Sequence, residues 1–326
     1  MTLHIRLHHT AMLALLLVCL FLPVAAQTWP ERPIRLIAAT TPGGVNDTVA
    51  RLIAEPLSEA LKQSVVVDNK PGAGGLLGTE IAARATADGY TFSIFTDANT
   101  IFPSTQKNLK HSPLTSFAHI SVLGRGSHVL IVHSSVPANN LRELIAWVQQ
   151  QPKGVSAAVP SYGGPQHLAL ETIKQKMQAD ITAIPYKGGG QAVNDLIGGQ
   201  VRIGLLGIAP ALPHIRSGRL KAIATTGAVR SSALPEVPTV AEAGLPGYAT
   251  YQWQGIVAPT GTPKAVIDRM HTEVVRILQQ PDIVKKLEAI GMTNFTSASP
   301  EAFTVMVREE MTHWAQVVKA AGISAE

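Results

Sequence analysis

The chain has 326 residues, 46% hydrophobic and 15% charged, with a formal net charge of +5 and one cysteine. That length supports one large domain or two moderate ones around a sizeable core. The mild positive balance comes without any dense basic run interleaved with aromatics, which argues against nucleic acid and fits anionic small molecules better.

At the N-terminus, Arg6 with His4, His8 and His9 precedes "AMLALLLVCLFLPVAA", which ends in Val24-Ala25-Ala26 before Gln27. A charged start, a short apolar middle and small residues at the exit describe a secretory signal peptide over residues 1–26, with cleavage expected after Ala26. A lipoprotein anchor at Cys19 is the rival, weakened by Val18 and by the apolar sequence beyond it. Cleavage would remove the only cysteine, so an exported mature chain would depend on core burial and not on disulfides.

The mature sequence alternates short β-branched runs with amphipathic stretches. Strands are predicted at 34–39, 65–68, 91–95, 129–133, 155–159, 181–184, 202–206, 220–225 and 253–258. Two helical faces are predicted near the C-terminus: Val266, Ile267, Met270, Val274 and Ile277 form one, and Phe303, Met306, Val307, Trp314, Val317 and Val318 the other. This order predicts an α/β fold with mostly parallel sheets. Pro56 conflicts with the first helix, where it should kink the chain or cost about 3 kcal/mol.

The first strand runs into "TTPGGVNDTVARLIAEPL" (40–57), where Pro42, Gly43 and Gly44 open a helix. Backbone amides at such a start attract anions, and Asn46 or Asp47 can cap it. No Lys-Ser or Lys-Thr follows, so it is not a nucleotide-triphosphate loop, and an ordinary strand–helix turn remains open beside an anion loop. "NKPGAGGLLGTEIAARA" (69–85) mimics a dinucleotide fingerprint but has Leu77 where the third glycine belongs, so no nicotinamide cofactor is expected.

"VPSYGGPQHLALETIKQKM" (159–177) repeats the first design, with Ser161, Tyr162, Gly163 and Gly164 ahead of Pro165 at the first helical position. Ser161 lacks the G-x-S-x-G surroundings of a hydrolase nucleophile. His167 has no H-E-x-x-H partner, so a structural role competes with a ligand-binding one, and no metal is expected. "IPYKGGGQAVNDLIGGQV" (184–201) is a third glycine-rich strand exit, where Lys187 is either solvated or a cation for the pocket. In open α/β sheets, ligands sit at the carboxyl ends of the strands, where all three loops fall.

"PIRLIAATTPGGVNDTVAR", "VVVDNKPGAGGLLGTEIAA", "DGYTF", "QHLALE", "IPYKGGGQAVNDLIGGQV", "LPHIRSGRLKAIATT", "LPEVPTVAEAGLPGY" and "WQGIVAPTGTP" follow one another in this order. Over nearly the whole mature chain these blocks resemble the Bug-type substrate-binding proteins of tripartite tricarboxylate transporters. The resemblance implies a two-lobed, flytrap-like periplasmic receptor with strands crossing between the lobes. Lobe 1 would hold 27–125 and 228–326, and lobe 2 would hold 126–227. Such a receptor is expected to be monomeric, to bind a small organic acid without a cofactor, and to deliver it to membrane permease subunits.

The carboxylate would be held by backbone amides and waters, which carries over to Gly43, Gly44 and Asp47 on one side, with Thr41, Pro42 and Asn46 beside them. On the other side it carries over to the loop of Ser161 to Gly164 before His167, and to the turn containing Lys187 and Gly188. Thr40 stands where the family often has an aromatic residue, so that wall should be smaller and more polar. Leu206 and Gly207 suggest a roomier, less polar far end, and Thr96, Asp97 and Asn99 are expected to read the rest of the ligand. A sensor feeding a signalling partner would use the same cleft, and an exported α/β enzyme using Asp47, His167 and Lys187 is the third reading.

Overall fold

The computed structural model describes residues 29–320 and divides them between two mixed sheets; the expected signal peptide lies outside the described residues. The first sheet has the order β11-β4-β10-β3-β1-β2 and contains β1 (Ile34–Ala38), β2 (Val65–Asn69), β3 (Thr91–Thr96), β4 (Phe117–Gly126), β10 (Gln252–Pro259) and β11 (Met292–Thr293). The second, ordered β7-β6-β8-β5-β9, contains β5 (His128–His133), β6 (Val155–Val159), β7 (Ile181–Pro185), β8 (Ile203–Gly207) and β9 (Leu220–Thr225). Helices cover both sheets, giving two lobes.

The expectation of mostly parallel sheets is corrected. β1 pairs in parallel with β2 and β3, and β6 with β7 and β8, but β10 runs antiparallel to both β3 and β4, and β5 antiparallel to β8 and β9. The cause is the crossing. β4 leaves the first sheet and, after Ser127 alone, becomes β5 of the second, so each sheet ends with strands entering from the other side. β4 itself was not expected, because His119 and Ser121 interrupt its apolar run; both are buried in the structure.

Apolar periodicity decides which helices cover which sheet. Helix α1 (Val45–Leu61) buries Val49, Ile53 and Leu57 against the first sheet beside α8 (Lys264–Leu278) and α9 (Pro281–Ala289). It continues through Pro56, which neither ends it nor marks a boundary. Helices α2 (Leu76–Ala83), α3 (Asp97–Thr105) and α10 (Pro300–Ala320) cover its other side, with Phe303 and Val307 packed on Phe95, Val122 and Trp253. Helices α4 (Leu141–Gln149), α5 (Pro165–Met177), α6 (Gly189–Ile197) and α7 (Ile208–Arg216) sandwich the second sheet.

The two crossings are stitched together. His128 N donates to Thr226 Oγ1 at 2.9 Å, and that hydroxyl donates to Thr250 O at 2.9 Å. Beside this seam the His128 ring is fully buried, with Gln166 Nε2 against its Nδ1 at 3.2 Å. Burial pulls its pKa down to about 3, and burial pulls that of His119 to about 4 despite an opposing backbone contact. Both rings are therefore neutral when folded and take up protons on unfolding below their ordinary pKa of about 6.5. Stability present above that pH is lost as pH falls through the window from 6.5 towards 3–4. In thermal melts His128→Gln, which keeps a polar partner for Gln166, should flatten the fall in Tm across this window; an unchanged slope would show that His128 does not cause it.

Candidate functional site: a cleft between the two sheets

The carboxyl ends of β1, β3, β6, β7 and β8 converge on one cleft, and each is followed by the start of a helix. The cavity there has a volume of about 70 Å³ and is bordered by Thr40, Val45, Asn46, Thr96 and Asp97 from the first lobe. Ser161, Gln166, Lys187, Gly188 and Gly207 border it from the second, while Gln252 and Gln254 enter from the crossing strand β10.

The helix starts supply its donors. In α1 the first helical bond is Thr48 N to Gly44 O, so the amides of Val45 and Asn46 lack an acceptor among the described residues. In α5 the first is Leu168 N to Gly164 O, which leaves the Gln166 amide in the same condition after Pro165, which has none. In α6 the first is Ala192 N to Gly188 O, and the amides of Gly189 and Gly190 precede it. Three positive helix ends thus meet at one small volume, two of them facing the third across the lobes.

The glycines chosen from sequence have other work. Gly43 N donates to Asp47 Oδ2 at 2.9 Å and Gly44 N to Thr41 O at 3.1 Å, so neither amide is free for a ligand, and Gly43 and Pro42 are exposed. Asp47 does not border the cleft. Its buried carboxylate also accepts from Arg51 Nε at 3.0 Å and Asn69 Nδ2 at 2.9 Å. Burial alone would raise its pKa, but these bonds with the Gly43 amide outweigh it and hold the group below the ordinary range. Asp47 therefore shapes the loop and turns away from both the helix amides and the cavity.

The second loop repeats this device with a different acceptor. Gly163 N donates to His167 Nδ1 at 2.9 Å, four residues on as in Gly43 and Asp47, which points the ring's other nitrogen towards Glu171 Oε1 at 3.5 Å. His167 is thus a loop anchor and does not border the cavity; Gly163 and Gly164 lie behind the wall that Ser161 forms. Tyr162 packs at a tilt against the His167 ring, centroids 4.7 Å apart, and borders an adjoining surface depression with Tyr186 and Gln191. Asn99 completes a capping box instead of facing the cavity: its Oδ1 accepts from Thr96 N at 2.8 Å and its Nδ2 donates to Thr79 Oγ1 at 3.0 Å. Asp47, His167 and Lys187 do not converge, and Lys187 alone of the three borders the cleft, with its side chain exposed.

Leu206 packs in the core of the second lobe, and Gly207 faces both the Val45 methyl and the Gln252 amide, so that end is mixed in polarity. Gln252 and Gln254 were missed in the sequence. Two glutamines at strand spacing inside a fully buried strand were the available signal, because a buried polar side chain needs a partner. Gln254 Nε2 reaches Asn46 Oδ1 at 3.4 Å, while its Oε1 has no partner. Thr41 Oγ1 and Asp97 Oδ2 are also buried without one. Among the described residues no group of three His, Cys, Asp or Glu is placed to hold a metal ion, and no helix is long and apolar enough to cross a membrane.

The lobes touch across the cleft through their glycines. Gly188 has φ 154°, and a Cβ there would stand 2.6 Å from Thr40 Oγ1; one at Gly190 would stand 2.5 Å from Pro42 O. Thr105 Oγ1 donates to Gly163 O at 3.4 Å. These approaches describe a closed arrangement.

The family model described as the tripartite tricarboxylate transporter family receptor matches residues 49–323. Protein BugT of Bordetella pertussis is 35% identical over 302 residues, covering 92% of each chain. The solved structure of the periplasmic binding protein BugD superposes with a TM-score of 0.88 at 34% identity, over 91% of this chain and all of that one. The R. palustris protein Rpa4515, solved with adipate, gives the same TM-score, identity and coverage. A match over most of the length, the two-lobed fold and the cleft at the strand ends agree: the chain belongs to the receptor family of tripartite tricarboxylate transporters.

Proposed function

We propose that this protein is a periplasmic solute receptor that holds a small organic carboxylate in the interlobe cleft and hands it to a membrane permease. The observation carrying this reading is the set of unpaired amides at Val45, Asn46, Gln166 and Gly189, contributed by both lobes to one cavity. A carboxylate has lone pairs for several donors and a charge that helix starts favour. The adipate carried by Rpa4515 is a guest of this chemical kind.

We assign lobe 1 to residues 29–126 with 252–320 and lobe 2 to 128–250. Leu234, Val237, Val240 and Tyr248 pack into the cores of the second sheet, which supports a second crossing near 251 instead of 228. The guest bridges the lobes, so binding favours the closed form over the open one, and a permease can read that difference.

A thermal-shift screen of the mature protein against small mono-, di- and tricarboxylates tests the reading. At a hundred times its dissociation constant a true ligand adds about 2.7 kcal/mol of stability. A shift with no carboxylate would contradict it.

Gly190→Ala tests closure separately. The residue is helical, so alanine should favour α6 locally by up to about 1 kcal/mol, yet its methyl meets the Pro42 carbonyl only when the lobes close. The variant should melt no lower than the parent without ligand and bind the carboxylate at least tenfold more weakly. Unchanged affinity would mean that this contact is not made in the bound state.

A further inference from the structure

A second cavity, of about 580 Å³, lies away from the cleft and shares no residue with its border. Side chains alternate along β10: Gln252 and Gln254 border the cleft, and Trp253 between them borders this other space. Tyr248 and Tyr251 enter from the segment that leads into β10, Leu168 and Lys176 from α5, and Glu310 and Trp314 from α10. The volume falls within the roughly 300–1,000 Å³ of small-molecule sites.

Its border combines aromatic rings with cations that have no acid partner. The rings of Tyr248, Tyr251, Trp253, Phe295 and Trp314 all reach it. The Arg125 guanidinium carbon stands 5.5 Å from the Tyr251 ring centroid and 4.8 Å from that of Phe295, and no carboxylate among the described residues pairs with it. Lys176 is exposed on α5 and likewise unpaired among the described residues. Glu310 is the acid at this border, and its Oε2 already accepts from Trp314 Nε1 at 2.7 Å. Two cations therefore face one acid, and His313 beside them can only add positive charge.

We propose that this cavity is a second binding site, separate from the cleft, which takes an aromatic carboxylate. The guest's ring packs among the aromatic side chains and its carboxylate meets Arg125 and Lys176. A guanidinium presents a planar fork that matches the two oxygens of a carboxylate, and here two rings already hold it in place, so little freedom is lost on binding. The same border contains a donor the fold leaves unused: the indole N–H of Trp253 is buried without an acceptor. A cationic guest caged by the rings and Glu310 is the opposite reading, and the two unpaired cations oppose it. The inference does not depend on what the cleft holds.

The test is calorimetric titration of the mature protein with three probes of one ring and different charge: 2-naphthoate, 2-naphthamide and 2-naphthylmethylammonium. The parent should bind the naphthoate at least tenfold more tightly than the neutral amide, and the ammonium most weakly. Replacing both cations, Arg125→Gln with Lys176→Gln, should erase the advantage of the naphthoate while leaving amide binding unchanged, which also shows that the pocket is still folded. Thr172→Trp, which places a ring in the cavity from α5, should weaken both probes. Naphthoate bound no better than the amide, or not at all, would overturn the inference. So would tighter binding of the ammonium, or naphthoate binding that none of these substitutions alters, because the ring would then sit elsewhere. Each of these failures leaves the receptor reading of the cleft intact.

Discussion

The structure turns on a set of backbone amides that the fold cannot satisfy by itself. An α-helix leaves its first amides without internal acceptors, and a single exposed helix start is ordinary. Here the starts of α1, α5 and α6 meet at a volume too small to be generously solvated, and the lobes close over them. In the receptor reading proposed above, an anion completes the arrangement. A charge-assisted hydrogen bond contributes about 1.5–3 kcal/mol, so a few such amides reach the roughly 8 kcal/mol of a micromolar complex after ordering costs. No lysine or arginine has to be buried to achieve this, which in the receptor reading would keep the guest releasable.

Preparing those amides requires holding the loops, and the chain does so twice by one device. A glycine amide two residues before the first helical residue donates to a side chain four positions on: Gly43 to Asp47, and Gly163 to His167. The acceptor changes from carboxylate to imidazole, but the geometry is the same, with 2.9 Å in both loops. Asp47 can therefore stand near the proposed anion site without opposing it, because Arg51 offsets its charge and Gly43 and Asn69 donate to its oxygens. The glycines at 188 and 190 do a different job, letting two backbones approach across the cleft.

Much of this was legible in the sequence. Of the residues picked from strand exits into glycine-rich helix starts, Thr40, Asn46, Thr96, Asp97, Ser161, Lys187, Gly188 and Gly207 border the interlobe cavity. The roles within each loop were harder to read. Sequence shows that Gly43 and Gly44 are bare backbone, but not that Asp47 and Thr41 have already taken their amides; the available donors lie one or two residues further, at Val45 and Asn46. Asn99, read from sequence as a ligand residue, is engaged in a capping box with Thr96. Gln252 and Gln254 enter from a strand more than 150 residues away from Thr96, where no local pattern points to the cleft, although Gln254 pairs in register with Thr96. The antiparallel crossings escaped for a similar reason: strand direction depends on which lobe the chain has just left.

A crystal structure of the mature protein with its carboxylate bound examines the amide set most directly. The guest's carboxylate oxygens should lie within hydrogen-bonding distance, about 2.7–3.1 Å, of amides from Val45 or Asn46 in one lobe and Gln166 or Gly189 in the other. A guest lodged outside the interlobe cleft, or held chiefly by cationic side chains, would contradict it.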